Sequence, residues 1–462
     1  MNDVRSMFSS GDIFFAPLCY MLLFVIYRSI IRKYTQEHRS VFIKAFHFRM
    51  FCAIVFALIV AYYYKEGDSE MYYYATLDMQ KAVMQDGYSL WKIFTTLKID
   101  AYNSLAPYFF VDRDRYPVLE FMASASNFTV PKLALIPSIL FFKSYVSICM
   151  MFSFFALGGA VRLYKLFCNY FPLYKREIAF AVLFLPSVCF WSSGLLKDSI
   201  CFGAVGYILY GIFSIFIRKK KILGSVLWVI VGVGLLYYIK VYILLALLPS
   251  ITLWLFGEFN KAVKDPLLRK IATFFTIAIA SVLVVVLINY VTSAVNLSSF
   301  RLENILETSD FNRKIYENDA TKLEGSYFQI QSGNPTLIII NGFIASLFRP
   351  FIWEISSPIV LLSALEALIF ILLTGYFLMK KGVVKYFRSA FGSPVLILCS
   401  SFAFVFAASV GSTATNFGSL SRYKIPCLPF YLIMIFAIYF QNGLKLPIWT
   451  NRIFNLISKK SS

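Results

Sequence analysis

The chain has 462 residues, of which 59% are hydrophobic and only 15% charged, with a mean hydropathy of +0.70. Soluble globules keep about a quarter of their residues charged; this balance excludes one and predicts an all-α, polytopic membrane protein whose apolar runs match a bilayer's hydrocarbon thickness. The net charge of +20 invites a nucleic-acid partner, but Lys and Arg gather at the ends of apolar runs, as positive-inside topology requires, so no nucleic acid is expected.

In chain order, the first apolar run, Ile13–Ile31, follows an acidic Asp3 and lacks a small-residue cleavage site, so it reads as a span rather than a cleaved signal. The basic stretch after it, with Arg32, Lys33, Arg39, Lys44 and Arg49, is expected in the cytoplasm together with both histidines, His38 and His47. Met50–Tyr64 then exits at YYYKEGDSEMYYY, Tyr62–Tyr74, where two tyrosine triplets bracket Glu66, Asp68 and Glu70. Tyrosines at such a place suit an aromatic belt at the membrane interface. A polar segment over 65–131 forms a first outer loop with surface helices.

Further spans are expected over Tyr145–Phe167, Ile178–Leu196, Ile200–Ile217, Ile222–Ile239, Val241–Leu255, Ile271–Thr292, Ile355–Met379, Pro394–Val410 and Ile425–Phe440, with a second outer loop over 293–335. The loops carrying Lys175 and Arg176, Arg218–Lys221, Lys261–Lys270 and Lys380–Arg388 then all fall on one side. That makes about eleven spans in a single membrane domain over 1–462, with the N-terminus outside and the C-terminus inside. Leu133–Phe142 and Thr336–Phe348 are too short to cross and read as interfacial or re-entrant helices. The eight cysteines lie in or beside apolar segments without metal-like spacing, the pattern of buried thiols.

Under this topology six polar features share the outer face. Gly67-Asp68-Ser69 suits a helix start, with Asp68 or Ser69 as N-cap and Glu70 in the first turn. Capping explains one acid but not three. Asp112-Arg113-Asp114-Arg115 can pair locally at a solvated surface. FWSSGLLKDS, Phe190–Ser199, places Lys197 and Asp198 in a tight turn, where Lys240 of the next outer turn could join them or merely snorkel. In LFRPFIWE, Leu347–Glu354, Arg349 precedes Pro350 at a chain reversal and could hold a phosphate side-on, with Glu354 beyond it. Glu366 is an intramembrane acid. NFGSLSRYKIPCLPF, Asn416–Phe430, puts Asn416, Arg422, Tyr423 and Lys424 in the last outer loop, against the positive-inside trend.

With no histidine outside, chemistry there must use carboxylates, Lys, Arg or Tyr. No P-loop, GxSxG, HExxH or paired CxxC occurs, which leaves soluble-type nucleotide, serine-hydrolase and zinc chemistry without a basis. Carboxylates (Asp68, Glu70) beside cations (Lys197, Arg349, Arg422, Lys424) suit transfer from a lipid-linked phosphosugar. One group takes a proton from an acceptor hydroxyl while others stabilise the departing phosphate. Membrane lipid and a polyprenyl-linked sugar or glycan are the partners this chemistry implies.

The acidic Gly-Asp-x-x-x-Tyr element after an early span, followed by surface helices in a large outer loop, resembles the GT-C class of polyprenyl-phosphate-sugar glycosyltransferases. The element Arg422-Tyr423-Lys424-Ile425-Pro426-Cys427-Leu428-Pro429-Phe430 is similar to a feature of bacterial sugar transferases and Wzy-type polysaccharide polymerases. The resemblance implies a GT-C-like fold in the bacterial inner membrane and a catalytic base at Asp68. Glu70 is then the alternate or, if a divalent metal ion is used, its binding partner. Here an extra N-terminal span precedes the acid, unlike the usual GT-C arrangement. A transporter or flippase for lipid-linked glycan is the alternative, against which stands the lack of an internal repeat.

Overall fold

The computed structural model of the chain describes residues 7–64, 67–100, 102–109, 118–261, 264–294, 335–355, 357–414 and 416–457. Glu66, the Asp112–Arg115 motif and nearly all of the 293–335 loop lie outside the described residues.

Helix α1 is Ser10–Ile31 and α2 is Gln36–Ile59, which runs on through a π turn at Val60–Tyr64. The first loop holds α3 (Asp68–Asp86), α4 (Leu90–Thr95), α5 (Ala106–Phe109), α6 (Val118–Met122) and α7 (Ala125–Leu140). Then come α8 (Tyr145–Tyr170), α9 (Lys175–Ala179), α10 (Pro186–Trp191), α11 (Lys197–Ile212), α12 (Ile222–Ile239), α13 (Val241–Asn260) and α14 (Pro266–Ala294). The remainder is α15 (Pro335–Phe348), α16 (Pro358–Lys381), α17 (Val383–Ala390), α18 (Pro394–Thr413), α19 (Phe417–Tyr423), α20 (Leu428–Gln441) and α21 (Ile448–Ile457). Among the described residues eight helices are long and apolar enough to cross a membrane, or nine if α19 and α20, bent by 67°, make one span. The chain is thus an all-α protein with the helices of a multi-pass membrane protein.

Two expected spans take a different form. Ile178–Leu196 is not one helix. It runs as α9, a π turn at Phe180–Phe184, a break, and α10, followed by a non-helical Ser192–Leu196. Pro186 causes the break. It has no N–H to give the preceding turn, and it pushes Leu185 into the extended region at φ −65°, ψ 117°. The second span begins at Gln36 rather than Met50, so His38, His47 and Arg49 lie in a helix rather than a loop. Phe42, Phe46, Arg49, Ala53 and Phe56 recur at helical spacing and form its buried face.

The helices share two polar ends. At one, Lys175 pairs with Glu37 at 2.9 Å and Arg176 donates to Asn455 Oδ1 at 2.6 Å. At the other, Ser69 and Tyr145 share a 2.7 Å hydroxyl hydrogen bond and Tyr73 donates to the Lys143 carbonyl at 2.7 Å. From Gln36 to Tyr64 the α2 helix spans about 43 Å at 1.5 Å per residue, enough to carry the chain from the first end to the second. The short apolar helix α15 lies against α18 by backbone approach, since a side chain on Gly411 would collide with the Gly342 carbonyl. All eight cysteines are free thiols, and all but Cys168 are buried.

The two tyrosine triplets part company. Tyr62, Tyr63 and Tyr64 are exposed, as a membrane-interface belt would be, whereas Tyr72, Tyr73 and Tyr74 are buried on α3. The expectation that both face the interface is corrected for the second triplet. Its rings pack toward α7 and α8, where Tyr73 meets the Tyr145 ring at 5.1 Å and Tyr72 donates to Asn127 Oδ1 at 3.3 Å.

Candidate functional site

Asp68 opens α3, but not as its cap. The N-cap is Gly67, at φ +127°, a conformation that favours glycine. The expectation that Asp68 or Ser69 caps the helix is therefore corrected, and the Asp68 carboxylate is turned to another task. Arg422, in the last turn of α19, donates from Nη2 to Asp68 Oδ2 at 2.7 Å and from Nε to Asp198 Oδ2 at 2.5 Å. Lys240, in the turn between α12 and α13, donates to Asp198 Oδ1 at 2.5 Å. Four residues up to 354 positions apart in sequence thus form one chain of ion pairs.

The two carboxylates differ sharply in setting. The Asp198 side chain is 3% exposed, while Asp68 is 35% exposed and its Oδ1 makes no hydrogen bond among the described residues. Burial pulls the Lys240 ammonium down, but Asp198 outweighs that and holds it above the usual lysine range. Burial, and next the Asp68 charge, push the Tyr72 phenol well above its ordinary value. Tyr423 completes the wall, its ring 4.6 Å from Lys240 Nζ and 5.7 Å from the Arg422 guanidinium carbon.

Lys197 precedes Asp198 in the first turn of α11, and its Nζ donates to Ser126 Oγ of α7 at 2.9 Å. It pairs with no carboxylate among the described residues. Three cations, Lys197, Lys240 and Arg422, therefore stand with two acids, Asp68 and Asp198, which leaves one positive charge over.

Arg349, Glu354 and Lys424 form a second group, while Asn416, Glu366 and Glu70 stand in other places. The Arg349 Nε donates to Glu354 Oε1 at 3.1 Å and Oε2 at 3.2 Å, and Nη2 also bonds Oε1. The side-on edge expected for phosphate thus holds Glu354, which also accepts from the Phe351 amide at 2.7 Å. Lys424 donates to the Arg349 carbonyl at 3.0 Å, which joins this group to the first through the α19 turn that also carries Arg422. Asn416 caps α19, accepting from the Gly418 amide at 2.6 Å. Glu366, buried in α16, accepts from the Ser187 amide at 2.9 Å and from the Ser187 hydroxyl. Glu70 stands half-buried in the first turn of α3. Among the described residues no group of three or more His, Cys, Asp or Glu side chains is placed to hold a metal ion.

Sequence reasoning missed Ser126 and Ser187, which carry no charge or motif to mark them, and it read Tyr72 only as the last residue of the Gly-Asp-x-x-x-Tyr element and not as a neighbour of the Asp68 charge. Comparison of the chain with protein-family models, with curated proteins and with solved structures finds no match. What the arrangement can do must come from its own chemistry. An open carboxylate oxygen can accept a proton beside a guanidinium and two ammonium groups, which suit a phosphate.

Proposed function

We propose that the chain is a bacterial inner-membrane glycosyltransferase or polymerase of surface-polysaccharide assembly, using a polyprenyl-linked sugar or glycan as donor. One observation carries the reading: Arg422 joins the open Asp68 to the buried Asp198, with Lys240 and Lys197 alongside and one positive charge in excess. The end rich in Lys and Arg is assigned to the cytoplasm by the positive-inside rule. The Asp68 end then faces the periplasm, with the N-terminus outside and the C-terminus inside.

In the reaction, the acceptor hydroxyl attacks the anomeric carbon as the bond from that carbon to the phosphate oxygen breaks. Asp68 Oδ1 takes the hydroxyl proton, and Lys197 with Arg422 stabilises the charge gathering on the leaving polyprenyl phosphate. Asp198 and Lys240 hold Arg422 in place. Glu70 is the alternate acid, and a divalent metal ion, if used, would fall to Asp68 and Glu70.

A carrier for lipid-linked glycan is the second reading, favoured by buried charges in the helical bundle, Arg49 and Glu366 among them. Reconstitution with a polyprenyl-linked sugar donor and a glycan acceptor separates the two. Release of free polyprenyl phosphate with extension of the acceptor supports the transferase. Passage of the intact lipid-linked glycan to the opposite leaflet, with no cleavage, supports the carrier.

A further inference from the structure

Arg49 is a buried charge that the proposed reaction does not use. It is 0% exposed in α2. Fifteen residues separate it from Tyr64 and thirteen from Gln36, which places it about 20 Å from either end of the helix at 1.5 Å per residue. Its Nη1 donates to the Ser192 carbonyl at 3.3 Å and to the Ser192 hydroxyl. Its guanidinium carbon lies 5.2 Å from the centre of the Phe202 ring. Nε and Nη2 are both buried and have no hydrogen-bond partner among the described residues.

Those two nitrogens form one side of the guanidinium fork, and the same edge is engaged in Arg422 and Arg349. There it meets Asp198 and Asp68, or Glu354. The neighbouring hydroxyls are engaged elsewhere, and none accepts from Nε or Nη2. Ser192 donates to the Val188 carbonyl, Ser193 to the Cys189 carbonyl at 2.6 Å, and the single Ser153 proton lies within reach of both the Arg49 carbonyl and Ser193 Oγ. Glu366, the other buried charge of this region, is held by Ser187 instead. An arginine keeps its charge in any protein setting. A guanidinium at this depth with two unmatched nitrogens calls for a negative partner.

We infer that Arg49 holds a small monovalent inorganic anion, of which chloride is the probe, bridged by Nε and Nη2 inside the helical bundle between α2, α10 and α11. Phe202 follows Asp198 by four residues on α11, so the site lies about 6 Å further along that helix, at 1.5 Å per residue, than the ion-pair chain proposed to meet the donor phosphate.

The test is thermal unfolding of the full-length protein in detergent with chloride exchanged for gluconate at constant ionic strength. A ligand that binds only the folded state raises the melting temperature with the logarithm of its concentration. The wild type is expected to melt several degrees higher in chloride or bromide than in gluconate, and Arg49→Gln to lose that difference. Equal melting of the wild type in both salts, or an undiminished halide effect in Arg49→Gln, would overturn the assignment. If Arg49→Gln does not fold, crystals of the wild type grown in bromide decide it. An anomalous peak within hydrogen-bonding distance of Nε and Nη2 supports the site, and its absence rejects it.

Discussion

Arg422 and Arg49 present the same guanidinium edge to opposite surroundings. At the Asp68 end, Nε and Nη2 of Arg422 each meet a carboxylate, and Lys240 locks the far carboxylate from behind. In the body of the bundle, among the described residues, the Arg49 guanidinium meets a serine at Nη1 and an aromatic ring. The difference teaches that buried charge in this protein serves two ends. In the first the carboxylates are paired within the chain and graded in exposure, from Asp198 inside to Asp68 outside. In the second the charge is left for something the described residues do not supply.

The largest stability effect should come from Asp198→Asn. It takes the shared acid from both Lys240 and Arg422 and leaves one buried and one part-buried cation underpaired, at a cost of about 3–5 kcal/mol. Denaturation in detergent would measure it, and a loss below about 1 kcal/mol would mean that the network is solvated and the comparison with Arg49 fails. Ser187→Ala is expected to cost less, about 1–3 kcal/mol, because the buried Glu366 keeps the Ser187 amide but loses the hydroxyl. An unchanged melting curve would show that Glu366 is held by some other group. Smallest is Asp68→Asn, where a one-third exposed partner should change stability by no more than about 1 kcal/mol. A cost as large as that of Asp198→Asn would make the two acids equivalent and remove the grading.

Much of the Asp68 end was legible in the sequence, because charges between apolar runs have few places to go. Asp68, Lys197, Asp198, Lys240 and Arg422 each sit at an expected turn, and alternation of the spans puts them together. The pairing was not legible. Nothing in the sequence says that Arg422 bonds Asp68 and Asp198 while Arg349 turns back on Glu354 five residues on. The bundle's interior was harder still. Arg49 reads as one more basic residue of a loop until its helical spacing with Phe42, Phe46, Ala53 and Phe56 is noticed. Pro186 likewise marks a broken helix, but a run of apolar residues around it hides the break. The tyrosine triplets failed for a related reason: identical residues either side of Gly67 enter different environments, one facing outward and one packed against α7 and α8.

The most direct measurement is transfer by Asp68→Asn beside the wild type, with donor binding followed separately. Loss of an acting base should lower turnover by about 10²–10⁴-fold while polyprenyl-linked donor still binds and the protein melts almost as before. Turnover equal to wild type in a folded Asp68→Asn protein would contradict Asp68 as the base and leave the carboxylate as no more than an outer partner for Arg422.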